Sequence, residues 1–211
     1  FNRYFAAFGQ FMGDPYFSDL GFLTPRHGLG TAPSIMKHTL FSQPKATTKK
    51  CHSRHRVMTL GVQREYAPNS ICFGCGPANE QGLQIDSHRI ENGLILRFTP
   101  DDHHQAFPGM INGGIIGTLL DCHGNWTAAV ALMDSQGVEE PPCTVTASYS
   151  VQLRRPTPLN TELVVTSQVE NLQDDRAEIS LKLEANGTIC ATGKGLFVAV
   201  KEGHPAYHRW S

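Results

Sequence analysis

Asp121 lies in the middle of an apolar run, between Leu119-Leu120 and Cys122. A carboxylate in such surroundings is costly unless it is paired or neutralised. It is therefore either a structural cap for a neighbouring loop or a group with chemistry to perform. Eight residues earlier stands Asn112-Gly113-Gly114. Asparagine is a good N-cap, and the first N–H groups of a helix have no partner inside it. Such groups attract an anion or a polarised carbonyl, and glycines let a ligand come close to the backbone. Asn125 follows Asp121 by four positions, so the two share one helix face. Backbone donors for an oxyanion together with a carboxylate base are the equipment for acyl transfer to water.

These groups need an element to hold them. Gly113 to Met133 reads as one long helix, opened by glycines and rich in Ala, Leu and Ile. Gly93 to Thr99 reads as a strand before it, and Asp101 to Gly109 as a loop. Four strands are expected after it: Cys143 to Leu153, Glu162 to Glu170, Arg176 to Ala185 and Thr188 to Val200. In the third of these, Ala177, Ile179, Leu181 and Leu183 alternate with Glu178, Ser180, Lys182 and Glu184, the period of a half-buried strand. Asp174-Asp175 and Asn186-Gly187 are turn signals. Gly193 and Gly195 in the last strand suggest a bend or bulge. One apolar helix must be covered on most sides, and a curved antiparallel sheet wrapped around it would do so, giving an α+β architecture.

Charge divides the chain. Residues 1–63 carry eight basic and two acidic side chains, and residues 64–211 carry ten and seventeen, giving +6 and −7. The acidic remainder excludes a nucleic-acid-binding domain there. No run of 18 apolar residues exists, so no transmembrane helix is expected. Residues 1–63 show no sustained periodicity, and Ser42 to Arg56 is basic, rich in Ser and Thr and free of acids. They read as a disordered leader or an organelle transit segment ahead of a domain at 64–211. The protein is expected to be soluble and intracellular: cytoplasmic, or plastid or mitochondrial if that segment is a transit peptide. Six cysteines, at 51, 72, 75, 122, 143 and 190, do not form the dense pattern of a small disulfide scaffold. Cys122, Cys143 and Cys190 read as buried free thiols. Cys72-Phe73-Gly74-Cys75 could be half of a zinc site, but no second closely spaced pair follows. A compact turn packed over a pocket is the preferred reading, with no metal and no cofactor. His103, His104 and His123 read as surface or pocket histidines rather than ligands.

The segment from His103 to Ala129 resembles the hotdog-fold acyl-CoA thioesterases, in the phenylacetate-pathway (PaaI-like) type of that superfamily. The matching residues are His104-Gln105, Phe107-Pro108-Gly109, Asn112-Gly113-Gly114 and Leu119-Leu120-Asp121. The likeness continues at Thr146 to Ser150, at Leu153-Arg154-Arg155-Pro156, and at Cys72 to Gly76 with Asn79 to Leu83. It covers residues from about 70 to 200. The resemblance implies a hotdog fold, with the helix as the sausage and the sheet as the bun. It implies a homodimer or a dimer of dimers with the active site at the subunit interface. There the Gly113 N–H of one subunit would polarise the thioester carbonyl, and Asp121 of the other would act as general base or nucleophile. Thr146 would assist that carboxylate, and Asn125 occupies a position where some members hold water. Asn112 would complete the site, His104 or Gln105 would lie near the thioester, and Gly114, Arg154 and Arg155 would help to bind the substrate.

Three departures mark this chain. Asn112 stands where the family usually has a histidine, so acid–base chemistry is lost at that position. Ala106 replaces a common glycine, and the loop from Asp134 to Pro142 is longer than in compact members. The reading is hydrolysis of acyl-CoA to acid and free CoA. The alternative is a hotdog protein that binds acyl-CoA or an acyl carrier without turnover. A hotdog dehydratase, which carries a histidine at the helix entry, is disfavoured by Asn112.

Overall fold

The computed structural model describes residues 60–210, so the leader expected over residues 1–63 lies almost wholly outside the described residues. A short helix, α1 (Val62–Tyr66), straddles the expected 63/64 boundary and buries Val62 in the core. Next come β1 (Ser87–Ile90), β2 (Gly93–Phe98), a 3-10 turn (Asp102–His104), and the short strands β3 (Gln105–Phe107) and β4 (Met110–Ile111). The long helix α2 (Gly113–Gln136) follows, then β5 (Thr144–Leu153), β6 (Leu163–Gln173), β7 (Arg176–Ala185) and β8 (Thr188–Ala199).

Fifteen of the 24 residues of α2 are buried, which makes it an internal helix rather than a surface one. Asn112 caps its start, with Oδ1 accepting from the Gly114 N–H at 2.7 Å. Gly137 ends it in the left-handed conformation (φ 65°), and the Val138 N–H returns to the Met133 carbonyl at 3.2 Å. That is a Schellman stop, which puts glycine at the position where a side chain would be strained. No helix among the described residues is long and apolar enough to cross a membrane.

The main sheet has six strands in the order β1-β2-β6-β7-β8-β5, all paired antiparallel. It packs one face on α2, and the expected α+β arrangement of a long helix against a large antiparallel sheet is what forms. The alternation expected in β7 holds: Ala177, Ile179, Leu181 and Leu183 are buried, and Glu178 and Lys182 are exposed. Asn186 and Gly187 both have positive φ, as a two-residue hairpin turn requires. β1 was not expected. Its sequence, Ser-His-Arg-Ile, lacks a strand's apolar alternation, and it forms because the hairpin to β2 supplies its partner.

The two glycines of β8 do not make a bulge. Gly193 and Gly195 pair regularly with Val151 and Tyr149. A Cβ on Gly195 would lie 2.6 Å from the Phe197 ring, and one on Gly124 of α2 would lie 2.7 Å from it. The glycines therefore make room for Phe197, wedged between sheet and helix. β8 does bulge against β7 at Cys190, but the bulge that bears on the site is on the neighbouring strand, between Thr146 and Ser148 of β5. It shifts the strand's phase by one residue. Thr144 and Thr146 face α2 before it, and Tyr149, Val151 and Leu153 sit opposite the inward-facing Gly195, Gly193 and Ala191 after it.

Candidate functional site

The β5 bulge sets three contacts along α2. Thr146 donates its hydroxyl to Asp121 Oδ1 at 2.7 Å. The Tyr149 hydroxyl lies over Gly117, 3.7 Å from where a Cβ would be, and Leu153 reaches Gly113 in the same way at 3.3 Å. One strand thus runs from the carboxylate to the start of the helix.

Asp121 is half-buried, less enclosed than an apolar run suggests. Burial pushes its carboxyl above the ordinary value, while the Thr146 hydrogen bond and the Arg209 guanidinium pull it back. Asn125 is buried behind it. Its Oδ1 accepts from Thr144 Oγ1 at 2.8 Å and from Arg209 Nη2 at 2.9 Å. Its Nδ2 faces the Thr144 carbonyl at 3.4 Å and Thr146 Oγ1 at 3.5 Å. Asn125 therefore holds together the two threonines and Arg209.

Arg209 has no sequence signal, because it lies almost 90 residues beyond Asp121 in an irregular segment. It is carried there by Trp210, which stacks on Trp126 of α2 at 4.3 Å and 14° between ring planes. The guanidinium also lies over the Trp210 ring at 5.1 Å.

At the helix start, the Gly114 N–H is taken by the Asn112 cap. The Gly113 N–H has no hydrogen-bond partner among the described residues. Only one of the two expected glycine donors is thus available. Beside it is a cleft of about 330 Å³ lined by Phe107, Met110, Gly113, Ile116, Leu153 and Arg154, apolar with a cationic rim. Arg155 also borders it. Arg154 Nε approaches Thr192 Oγ1 at 3.4 Å, Arg155 donates to the Ile189 carbonyl at 3.1 Å, and both are exposed.

The histidines differ from expectation. His104 is buried, and its Nδ1 accepts from the Asp101 N–H at 2.9 Å, closing the 3-10 turn. Its carbonyl accepts from Asn112 N–H at 2.8 Å, so it anchors the helix cap. Gln105 is exposed on β3. His123 is neither a surface nor a pocket residue but fully buried. Its Nε2 faces the Leu94 carbonyl at 3.2 Å and its Nδ1 the Ser87 hydroxyl at 2.8 Å. A carbonyl only accepts, so the proton sits on Nε2 and Ser87 donates to Nδ1.

Among the described residues, two groups have metal-ligand chemistry. Asp101, His103 and His104 cluster at the 3-10 turn, but His104 Nδ1 is spent on the cap. Cys72, Cys75 and Cys122 bring three sulfurs within 4.8 Å of one another. Cys122 and Cys190 are buried free thiols as expected, whereas Cys143 is only partly buried.

No protein-family profile matches the chain. It is similar to acyl-coenzyme A thioesterase THEM4 of Rattus norvegicus, 24% identical over 132 residues, 60% of this chain and 53% of that protein. The Bos taurus protein of the same name is 24% identical over 162 residues, covering 76% of this chain and 58% of its own length. The chain thus spans little more than half of the curated relatives it matches. Among solved structures, a thioesterase superfamily protein superposes with a TM-score of 0.50 at 22% identity, covering 61% of this chain and 60% of that one. One from Shewanella loihica PV-4 gives 0.49 at 26%, over 59% and 98%.

Proposed function

From the premise that this is a hotdog-fold domain of the thioesterase superfamily kind, we propose that it hydrolyses acyl-CoA thioesters to the free acid and CoA. The observation that carries the reading is the Asp121 carboxylate, pinned by Thr146 on β5, the same strand whose Leu153 packs beside Gly113 and its free N–H. Asp121 activates water as a general base, or attacks the acyl carbon itself to give an anhydride that water then hydrolyses to the acid, restoring the carboxylate. The oxyanion forms against the Gly113 N–H, and CoA leaves as the thiol after protonation.

Within one chain these two groups cannot meet on one carbonyl. Eight helical residues separate them by about 12 Å along the axis. A second copy resolves this. Gly117 is midway between Gly113 and Asp121, and Tyr149 over it is near the middle of the stretch from Thr146 to Leu153. β5 is an edge strand of the sheet, with Tyr149 and Leu153 exposed. A two-fold axis passing beside Tyr149 would set the Gly113 end of one copy against the Asp121 end of the other, an isologous pairing. The apolar cleft would then take the acyl group or pantetheine arm, and Arg154 and Arg155 the CoA phosphates.

The test is release of free thiol by the full chain from a panel of short, long and aromatic acyl-CoAs. Asp121→Asn is expected to lose at least a hundredfold in turnover while the dimer persists, on the order of 3 kcal/mol of transition-state stabilisation. Undiminished turnover by that variant would end the mechanism. Tight acyl-CoA binding without product, across the whole panel, would establish the non-catalytic binding protein instead.

A further inference from the structure

We propose that Cys72, Cys75 and Cys122 form a binding site for a thiophilic d10 cation, zinc being the probe, which ties the loop at residues 70–85 to the turn of α2 that carries Asp121. The sequence offers only the closely spaced pair Cys72 and Cys75, and on that ground no metal was expected. The fold supplies the third ligand from the helix, 47 residues beyond Cys75.

The spacing suits a metal better than a covalent bond. Zinc binds thiolate at about 2.3 Å with tetrahedral angles, so two sulfurs on one zinc lie about 3.8 Å apart. Cys72 Sγ and Cys122 Sγ are 3.9 Å apart, and all three sulfurs lie within 4.8 Å of one another. A disulfide would need that pair to close to about 2.05 Å.

The surroundings also suit a thiolate site. The loop folds tightly: Gly76 N–H reaches the Cys72 carbonyl at 2.9 Å, and Leu83 and Ile85 N–H groups reach the Phe73 and Gly74 carbonyls. Trp126 Nε1 donates to Cys75 Sγ at 3.3 Å. Such an outer partner fixes the orientation of a metal ligand. Gly74 lets the loop close on the helix, because a Cβ there would sit 2.3 Å from Cys122 Sγ. Binding releases the thiol protons to solvent and leaves three sulfur–metal bonds. Of the three, Cys72 is the one exposed to solvent, so water can supply a fourth ligand.

The experiment is equilibrium dialysis of the reduced full chain against zinc, followed by elemental analysis, with a parallel cobalt(II) titration. Wild-type protein is expected to hold one zinc more than Cys72→Ser or Cys122→Ser, and to show thiolate-to-cobalt charge-transfer absorption that both variants lose. Cys190→Ser, a buried thiol elsewhere, is expected to behave as wild type. Zinc should also raise the melting temperature of wild type and of Cys190→Ser, but not of the two cluster variants. Cys72→Ser changes an exposed side chain, so it keeps the test valid if Cys122→Ser fails to fold. Equal zinc content in wild type and Cys72→Ser overturns the proposal. None of these readouts depends on thioester hydrolysis.

Discussion

Thr146 shows how a single hydroxyl can matter at this site. Its hydrogen bond to Asp121 Oδ1 works against burial, which pushes the carboxyl up. Thr146→Val keeps the shape and removes the donor. It is expected to lower kcat about tenfold or more, with Thr146→Ser restoring most of the loss, read from steady-state kinetics on one acyl-CoA. His123 acts on stability instead. Burial holds its pKa down to about 4, against an ordinary 6.5. Between those values the unfolded chain takes up a proton that the folded chain refuses, so stability falls as pH falls through that window. The full loss is on the order of 3 kcal/mol. Urea melts from pH 7 to pH 4 should show it, and His123→Gln should flatten the dependence.

At the scale of elements, the meeting of α2 with the sheet turns on Phe197. Gly124→Ala would put a methyl group 2.7 Å from its ring. The expected cost is about 1–3 kcal/mol by chemical denaturation, partly recovered by Phe197→Leu in the same chain. These elements were largely legible in the sequence. The helix, the strands β5 to β8 and the Asn186-Gly187 turn could be read because their apolar spacing and turn residues are local signals. The phase shift at Ala147 could not be read. Thr144-Val145-Thr146 and Tyr149-Ser150-Val151 each alternate well, and only pairing with β8 shows that the two runs are joined by a bulge. The roles of Gly193 and Gly195 were hidden for the same reason, since Gly195 makes room for the Phe197 ring and Gly193 lies close to Leu120 of α2 and Leu181 of β7. Of the site, Asp121, Gly113 and Thr146 were legible. Arg209, the closure of Cys122 on Cys72, and the capping role of His104 were not, because each depends on contacts between distant segments.

For the whole molecule, the decisive property is whether two copies share a site. Gly113 is the first residue of α2, where proline is well tolerated, and Asn112 already has the extended backbone (ψ 134°) that proline requires of its predecessor. Gly113→Pro should therefore fold normally while removing the proposed donor. It is expected to be inactive, as is Asp121→Asn. Refolding the two variants together should restore roughly a quarter of wild-type turnover, because half the pairs are mixed and each mixed pair holds one intact site. No recovery in demonstrably mixed dimers would place both groups in separate roles.

The chain has two tryptophans, and both belong to one stacked pair. Its tryptophan emission and the tryptophan part of its near-ultraviolet circular dichroism therefore come from a single place, where the segment bearing Arg209 settles on the helix behind Asp121. Two indoles 4.3 Å apart should couple as excitons and quench each other. The protein thus carries its own optical gauge of that docking, readable without a label while substrate, pH or denaturant is varied.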